Sequence, residues 1–238
     1  MQPQTIRYGD DPSQLVELTV PEGRVRGVVV VIHGGFWKAA YDLSLGRPLA
    51  ADLAGRGWAA LNIEYRRVGP AGSGGGGGVP ATTDDVRAAV ATLDATGLDL
   101  STVVALGHSA GGHLAAWAGH AVGSVTHVVA QAGVLDLVAA EREGLGGGAV
   151  RAFLGHPAGP ADADVDPRRQ VPLDVPVWCV HARDDDTVPF SQSEEYVAAA
   201  VAAGATAELV EVPGGHYEVI DATTEAWRRI VEVLDRIG

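Results

Sequence analysis

The sequence lacks several features that mark particular classes of protein. Cys179 is its only cysteine, which excludes an internal disulfide framework and a cysteine-rich metal site. Lys38 is its only lysine, and 17 Lys and Arg residues face 30 Asp and Glu residues, for a formal charge of −13. Because nucleic-acid phosphates must be neutralised by a basic surface, this balance argues against a nucleic-acid partner.

Long hydrophobic runs are also missing. The apolar run 28–32 is far too short to cross a bilayer. Residues 1–11 are polar and lack the charged, apolar and small-residue regions of a signal peptide. We therefore expect no membrane partner and a cytoplasmic location.

The pattern that is present alternates strands with helices. At 238 residues, with 47% hydrophobic and 20% charged residues, the chain is long enough for one α/β domain with a sizeable core. Runs of β-branched residues predict strands, and amphipathic stretches predict helices. The predicted strands are 15–20, 25–32, 58–65, 102–106, 125–130, 175–180 and 207–212, and the predicted helices are 43–54, 82–93, 110–121, 191–203 and 223–237. Such alternation predicts a mostly parallel sheet with helices on both faces. With no repeat and no linker, residues 1–238 form one predicted domain.

Two stretches interrupt this pattern. The glycine run 74–78 excludes regular structure and predicts a mobile loop. It lacks the Gly-Lys-Ser/Thr ending of a phosphate loop, so nucleotide binding there is rejected. Residues 137–171 are rich in Gly, Pro and Asp, contain one short predicted helix at 149–154, and form either a small cap over a site or a long connection.

The strongest chemical signal is Gly-His-Ser-Ala-Gly at residues 107–111, between a predicted strand and a predicted helix. Glycines on both sides of a serine allow the tight turn that exposes its hydroxyl at a strand end. Ser109 is therefore the predicted nucleophile. The backbone N–H of the next residue, Ala110, is a predicted donor to the oxyanion.

A serine nucleophile needs a base, and the base needs an orienting acid. His216 is the predicted base, because it alone among the histidines follows the last strand, in a Gly-rich loop. The acid belongs to the loop after strand 175–180, which offers Asp184, Asp185 and Asp186. Adjacent side chains diverge, so only one of them can face the imidazole, and the sequence pattern does not choose among them.

A second oxyanion donor is expected just after an early strand. Residues 33–37, His-Gly-Gly-Phe-Trp, follow strand 25–32 directly, so the second donor is predicted within this stretch, where glycines leave backbone N–H groups free. The aromatic rings of Phe36 and Trp37 are predicted to wall the substrate pocket. His33 precedes the serine in the chain, which favours a structural hydrogen-bonding role over that of the base.

Four ordered motifs together resemble the α/β-hydrolase superfamily: residues 33–37, 107–112, 181–189 and 215–217. The His-Gly-Gly-x-Trp form and residues 131–136, Gln-Ala-Gly-Val-Leu-Asp, are similar to the kynurenine formamidase (arylformamidase) branch and its esterase relatives. The resemblance implies an α/β-hydrolase fold with a minimal cap. It also implies that Asp185, four residues after His181, is the acid of a triad with Ser109 and His216. The oxyanion donors that it implies are the backbone N–H groups of Ala110 and of Gly35 or Phe36.

The resulting hypothesis is a serine hydrolase that cleaves a small carboxylic ester or an aryl formamide through an acyl-enzyme. The alternatives are a prolyl-oligopeptidase-like peptidase and a catalytically silent hydrolase-fold binding protein. No cofactor is expected, and no metal either, because His113 and His120 share a helical face without a carboxylate or thiol to complete a ligand set. We expect a small-molecule ester or formamide as the partner, and a monomer or homodimer.

Overall fold

The computed structural model describes residues 2–72 and 74–238. Eight strands in this part of the chain form one sheet. They are β1 (Gln4–Arg7), β2 (Leu15–Thr19), β3 (Val28–Ile32), β4 (Ala59–Ile63), β5 (Val103–His108), β6 (His127–Gln131), β7 (Val177–Ala182) and β8 (Ala207–Val212). The helices are α1 (Arg47–Gly55), α2 (Ala81–Ala91), α3 (Ala110–Ala121), α4 (Leu137–Arg142), α5 (Ala149–Leu154), α6 (Ser191–Ala202) and α7 (Glu225–Ile237).

The strand order brings two early loops together. The order is β1-β2-β4-β3-β5-β6-β7-β8, in which β1 and β2 are antiparallel to their neighbours and all other pairs are parallel. The chain moves from β3 to one side to form β4, then crosses back to place β5 on the other side of β3. Ligands of such sheets bind outside the carboxyl ends of the strands at this switch point. The loops after β3 and β5 are therefore neighbours at the expected site.

Helices cover both faces of the sheet, which explains the continuous apolar run of β3. Val28, Val30 and Ile32 face one core, whereas Val29 and Val31 face the other. The first core includes buried residues of α2, α3 and α6, and the second those of α1 and α7. A strand that is buried on both sides has no polar face, so its sequence does not alternate.

The predicted alternation is confirmed, with two elements added. The sequence pattern missed β1, because this four-residue edge strand is largely exposed and carries no apolar period. It also missed α4, whose six residues lie in the Gly- and Asp-rich segment. Residues 74–78 form no helix or strand, as predicted, and the N–H of Gly77 donates a hydrogen bond of 2.8 Å to the carbonyl oxygen of Arg67. The mobility of this run stays a prediction.

The segment 137–171 lies beside the loop that follows β3. It contains α4, α5 and short single turns. The Nζ of Lys38 donates a hydrogen bond of 2.7 Å to the carbonyl oxygen of Gly146, and the ring of Phe36 packs against Gly146. This placement next to the loop favours the cap interpretation. Among the helices of the described residues, none has both the length and the apolar character needed to span a membrane.

Candidate active site

Ser109 occupies a strained turn between β5 and α3. Its φ of 57° and ψ of −119° lie in a region that non-glycine residues rarely adopt, and its side chain makes no helix-capping bond. The helix packs closely under this turn: a Cβ at position 111 would clash with the carbonyl oxygen of Ile32, so the position requires Gly111. Ser109 thus lies at the N-terminus of a 12-residue helix, where partial positive charge favours a developing anion.

Asp185 and His216 form a buried pair. The Oδ2 of Asp185 lies 2.7 Å from the Nδ1 of His216, and the two side chains are 0% and 3% exposed. The backbone N–H groups of Thr187 and Val188 donate to the other carboxylate oxygen. Burial favours the neutral acid, but hydrogen bonds from His181, His216 and Val188 outweigh it and hold the pKa of Asp185 well below its usual range. The acid is therefore ionised at neutral pH and orients the imidazole of His216.

His108 connects the serine turn to the loop that carries His216. Its Nε2 lies 2.8 Å from the backbone carbonyl oxygen of His216, and the two rings are 4.5 Å apart. Burial, together with the nearby His216, lowers the pKa of His108 to about 3, so this ring is neutral and donates its one N–H to that carbonyl. Within the part of the chain that the structure describes, no hydrogen bond joins the Ser109 hydroxyl to the His216 ring. Ser109 directly follows His108 in the chain, and His108 contacts the backbone of His216, so His108 connects the two residues.

The loop after β3 brings free backbone donors to the serine. Within residues 2–72 and 74–238, nothing accepts a hydrogen bond from the backbone N–H of Gly35, Phe36 or Ala110. A Cβ at Gly34 would lie 2.9 Å from the Cβ of Ser109, so the loop passes directly over the serine turn. Unpaired N–H groups beside a nucleophile are the arrangement that stabilises a tetrahedral oxyanion.

A comparison with known families finds one whose model matches most of the chain. The BD-FAE family matches residues 17–199, which are 183 of the 238 residues and include the serine turn and the Asp185 loop. The chain belongs to the BD-FAE family.

One esterase is similar to this chain in amino-acid sequence. Over 122 residues, which are 48% of the chain, its sequence is 34% identical to Esterase LipC of Mycobacterium tuberculosis. This match covers only 28% of LipC, so the chain spans well under a third of that relative.

Solved structures match almost the whole chain. Thermogutta terrifontis esterase 2 phosphoramylated by tabun is 25% identical with a TM-score of 0.78, and the match covers 99% of this chain and 93% of that one. A bifunctional GH43-CE protein of Bacteroides eggerthii is also 25% identical with a TM-score of 0.82, covering 98% of this chain and 37% of that one. These likenesses confirm the α/β-hydrolase fold predicted from the sequence. They do not extend to the kynurenine formamidase branch, which stays a prediction.

The structure distinguishes between the three consecutive aspartates of this family member. Asp185 points its carboxylate at His216, whereas Asp184 and Asp186 are exposed. The side chain of Asp186 accepts a hydrogen bond of 3.0 Å from the Thr187 hydroxyl.

The structure differs from the prediction at Trp37. Its ring is 0% exposed, stacks on Phe153 with centroids 4.6 Å apart, and meets the ring of His113 edge-on. Trp37 is therefore a core residue beneath the loop and does not wall the open site. Its φ of 54° lies in the left-handed region. Phe36 is half-buried and remains the aromatic residue of this loop nearest to solvent.

Sequence reasoning missed Glu64 and the second contact of Asp185. The Nε2 of His181 lies 3.1 Å from the same carboxylate oxygen that His216 contacts. Glu64 is buried and contacts His33, whose predicted structural role it supports. The available signal was position: Glu64 directly follows a fully buried strand, as His33 and Ser109 do.

Proposed function

We propose that this chain is a serine hydrolase that cleaves small carboxylic esters with Ser109, His216 and Asp185. The observation that carries the proposal is the buried contact of 2.7 Å between Asp185 and His216, tied through His108 to the Ser109 turn. The esterase names of LipC and of Thermogutta esterase 2 support an ester as the substrate.

In this mechanism His216 accepts the proton of the Ser109 hydroxyl at Nε2, because Nδ1 is held by Asp185. The serine oxygen attacks the ester carbonyl, and the negative charge that forms on the carbonyl oxygen is met by the N–H groups of Ala110 and of Gly35 or Phe36. His216 then protonates the leaving alcohol, which leaves an acyl-serine. A water molecule, deprotonated by His216, attacks the acyl group, and its proton returns to Ser109 as the acid departs.

A Ser109→Ala variant tests this assignment. We expect it to lose hydrolysis of p-nitrophenyl acetate to the level of the blank and to resist labelling by a fluorophosphonate, with unchanged thermal stability. Ser101→Ala is a matched control, since Ser101 is exposed and precedes the opposite end of β5. Undiminished ester cleavage by Ser109→Ala would refute the proposal.

Aryl formamides are the second candidate substrates, favoured by the His-Gly-Gly-x-Trp form of residues 33–37. The discriminating measurement is kcat/KM for N-formylkynurenine against that for a short-chain aryl acetate. A formyl substrate that is faster by a hundredfold or more indicates an arylformamidase. Equal or faster acetate cleavage indicates an esterase. If the chain cleaves neither substrate in a reaction that depends on Ser109, both substrate assignments are excluded, whereas the fold assignment is unaffected.

A further inference from the structure

A buried glutamate that the proposed mechanism does not use lies behind the oxyanion loop. Glu64 follows β4 directly and is 4% exposed. Its carboxylate accepts hydrogen bonds from the backbone N–H groups of Leu43 (2.9 Å) and Tyr65 (2.8 Å), and one of its oxygens lies 3.4 Å from the guanidinium of Arg67. A buried carboxylate is costly unless it is paired. These three contacts compensate for the burial of the Glu64 carboxylate.

Glu64 also holds His33, the residue that starts the oxyanion loop. The Nε2 of His33 lies 3.0 Å from a carboxylate oxygen of Glu64, and its Nδ1 lies 2.8 Å from the carbonyl oxygen of Gly34. Both ring nitrogens of His33 therefore lie within hydrogen-bond distance of an oxygen atom. The His33 ring also stacks on Tyr65 with centroids 4.4 Å apart, and the Tyr65 hydroxyl donates to the His33 carbonyl oxygen at 2.7 Å.

The loop that His33 starts has an unfavourable backbone. Gly35, Phe36 and Trp37 have φ values of 105°, 52° and 54°, so three consecutive residues lie in the left-handed region. Non-glycine residues persist there only when the surrounding structure holds them. The bond from His33 to the Gly34 carbonyl fixes the peptide next to these residues, and Glu64 fixes the His33 ring.

We propose that Glu64 is a positioning residue, which acts through His33 to hold the N–H groups of Gly35 and Phe36 toward the oxyanion. This inference rests on the proposed function. Glu64 contacts no substrate, so its contribution falls on the transition state, in which the oxyanion forms, and not on substrate binding.

Glu64→Gln tests the proposal because it keeps the volume and an acceptor oxygen but removes the charge that holds His33. Glu17→Gln is the matched control: Glu17 pairs with Arg47, and its backbone lies opposite Asn62, two residues from Glu64. For Glu64→Gln we expect kcat on p-nitrophenyl acetate to fall roughly 10- to 100-fold with KM nearly unchanged, since small displacements of such donors cost rates of this size. Glu17→Gln should keep both constants.

A second readout separates positioning from a general loss of structure. Paraoxon, an organophosphate, places its phosphoryl oxygen at the oxyanion donors, so its rate of reaction with Ser109 should fall with kcat in Glu64→Gln. His33→Phe keeps the stacking on Tyr65 and removes both ring nitrogens, so it should show the same selective loss, and it decides the question if Glu64→Gln does not fold. Unchanged kcat in either folded variant, a change in KM alone, or an equal loss in Glu17→Gln overturns the inference. A wild-type chain that neither cleaves the ester nor reacts with paraoxon overturns the proposed function itself.

Discussion

The carboxylate of Asp185 is shared by two histidines. Its Oδ2 lies 2.7 Å from the Nδ1 of His216 and 3.1 Å from the Nε2 of His181, whose other nitrogen lies 2.8 Å from the Ser193 hydroxyl. The side chain of His181 is fully buried, and it gives the same carboxylate oxygen a second partner besides His216. The carboxylate is oriented before any substrate binds, which is the condition for a base with a fixed tautomer.

Asp185→Asn tests this orientation at the scale of one residue. An amide that donates to Nδ1 of His216 selects the tautomer with its proton on Nε2, which cannot accept the proton of Ser109. We expect kcat/KM for p-nitrophenyl acetate to fall by about 10³- to 10⁴-fold. Asp186→Asn, at an exposed position next in the chain, should stay within about twofold of wild type, because surface changes of this kind are nearly neutral. A loss of less than tenfold in Asp185→Asn would contradict the role of this acid.

At the scale of elements, Asp166 connects two parts of the 137–171 segment by hydrogen bonds. Its Oδ1 accepts hydrogen bonds from the backbone N–H groups of Leu137 (3.2 Å), at the start of α4, and Arg168 (3.3 Å). Burial raises the pKa of Asp166 to about 6 despite these bonds. The folded chain thus holds this proton more tightly than the unfolded chain does. The stability contributed is complete below about pH 4, the ordinary pKa of an aspartate, and is lost as the pH rises through about 6.

Asp166→Asn should remove this pH dependence. We expect the free energy of unfolding of wild type to fall, relative to the variant, by an amount on the order of 3 kcal/mol between pH 4 and pH 7. Thermal or urea unfolding of both proteins across this range measures the difference. Asp164→Asn, an exposed position in the same segment, should follow wild type. Parallel stability curves for wild type and Asp166→Asn would show that burial of this acid does not govern the segment.

Elements with strong periodicity and clear end signals were predicted well. The bounds of α3 (Ala110–Ala121) and β8 (Ala207–Val212) agree with the sequence pattern, because α3 follows the serine motif directly and β8 lies between glycine-containing turns. Elements outside the main core were missed. β1 is stabilised by pairing with β2 rather than by an apolar face, and such pairing has no local signal in the sequence.

Across the whole molecule, buried polar side chains gather where the strands end. His33, Glu64, His108, Ser109, His181 and His216 are all at most 5% exposed and lie at or just beyond the carboxyl ends of their strands. The net charge of the chain is −13, and most of its charged side chains lie at the surface. The site therefore combines a preorganised polar interior with a negative outer field.

That outer field predicts discrimination against anionic substrates. We expect kcat/KM for 4-acetoxybenzoate, relative to its neutral methyl ester, to rise roughly two- to tenfold as ionic strength increases from about 0.01 M to about 0.5 M, because salt screens the repulsion. The paired esters share one leaving-group skeleton, so the ratio removes effects of salt on chemistry. A ratio that does not change with salt would mean that nearby groups, not the net charge, set the potential at Ser109.

The sequence by itself determined the alternation of strands and helices, the serine turn, and the chain order of serine, aspartate and histidine. The alternation and the serine turn depend on residues that are neighbours in the chain, so a local pattern expresses them, and the chain order follows directly from the positions of the motifs. The local pattern left three aspartates open and only the family resemblance pointed to Asp185, whose carboxylate faces His216 in the structure. Only the tertiary structure decided that Trp37 lies in the core and that Glu64 holds His33. Each of these depends on the direction of a side chain where separate strands converge, and strand order and backbone torsion set that direction.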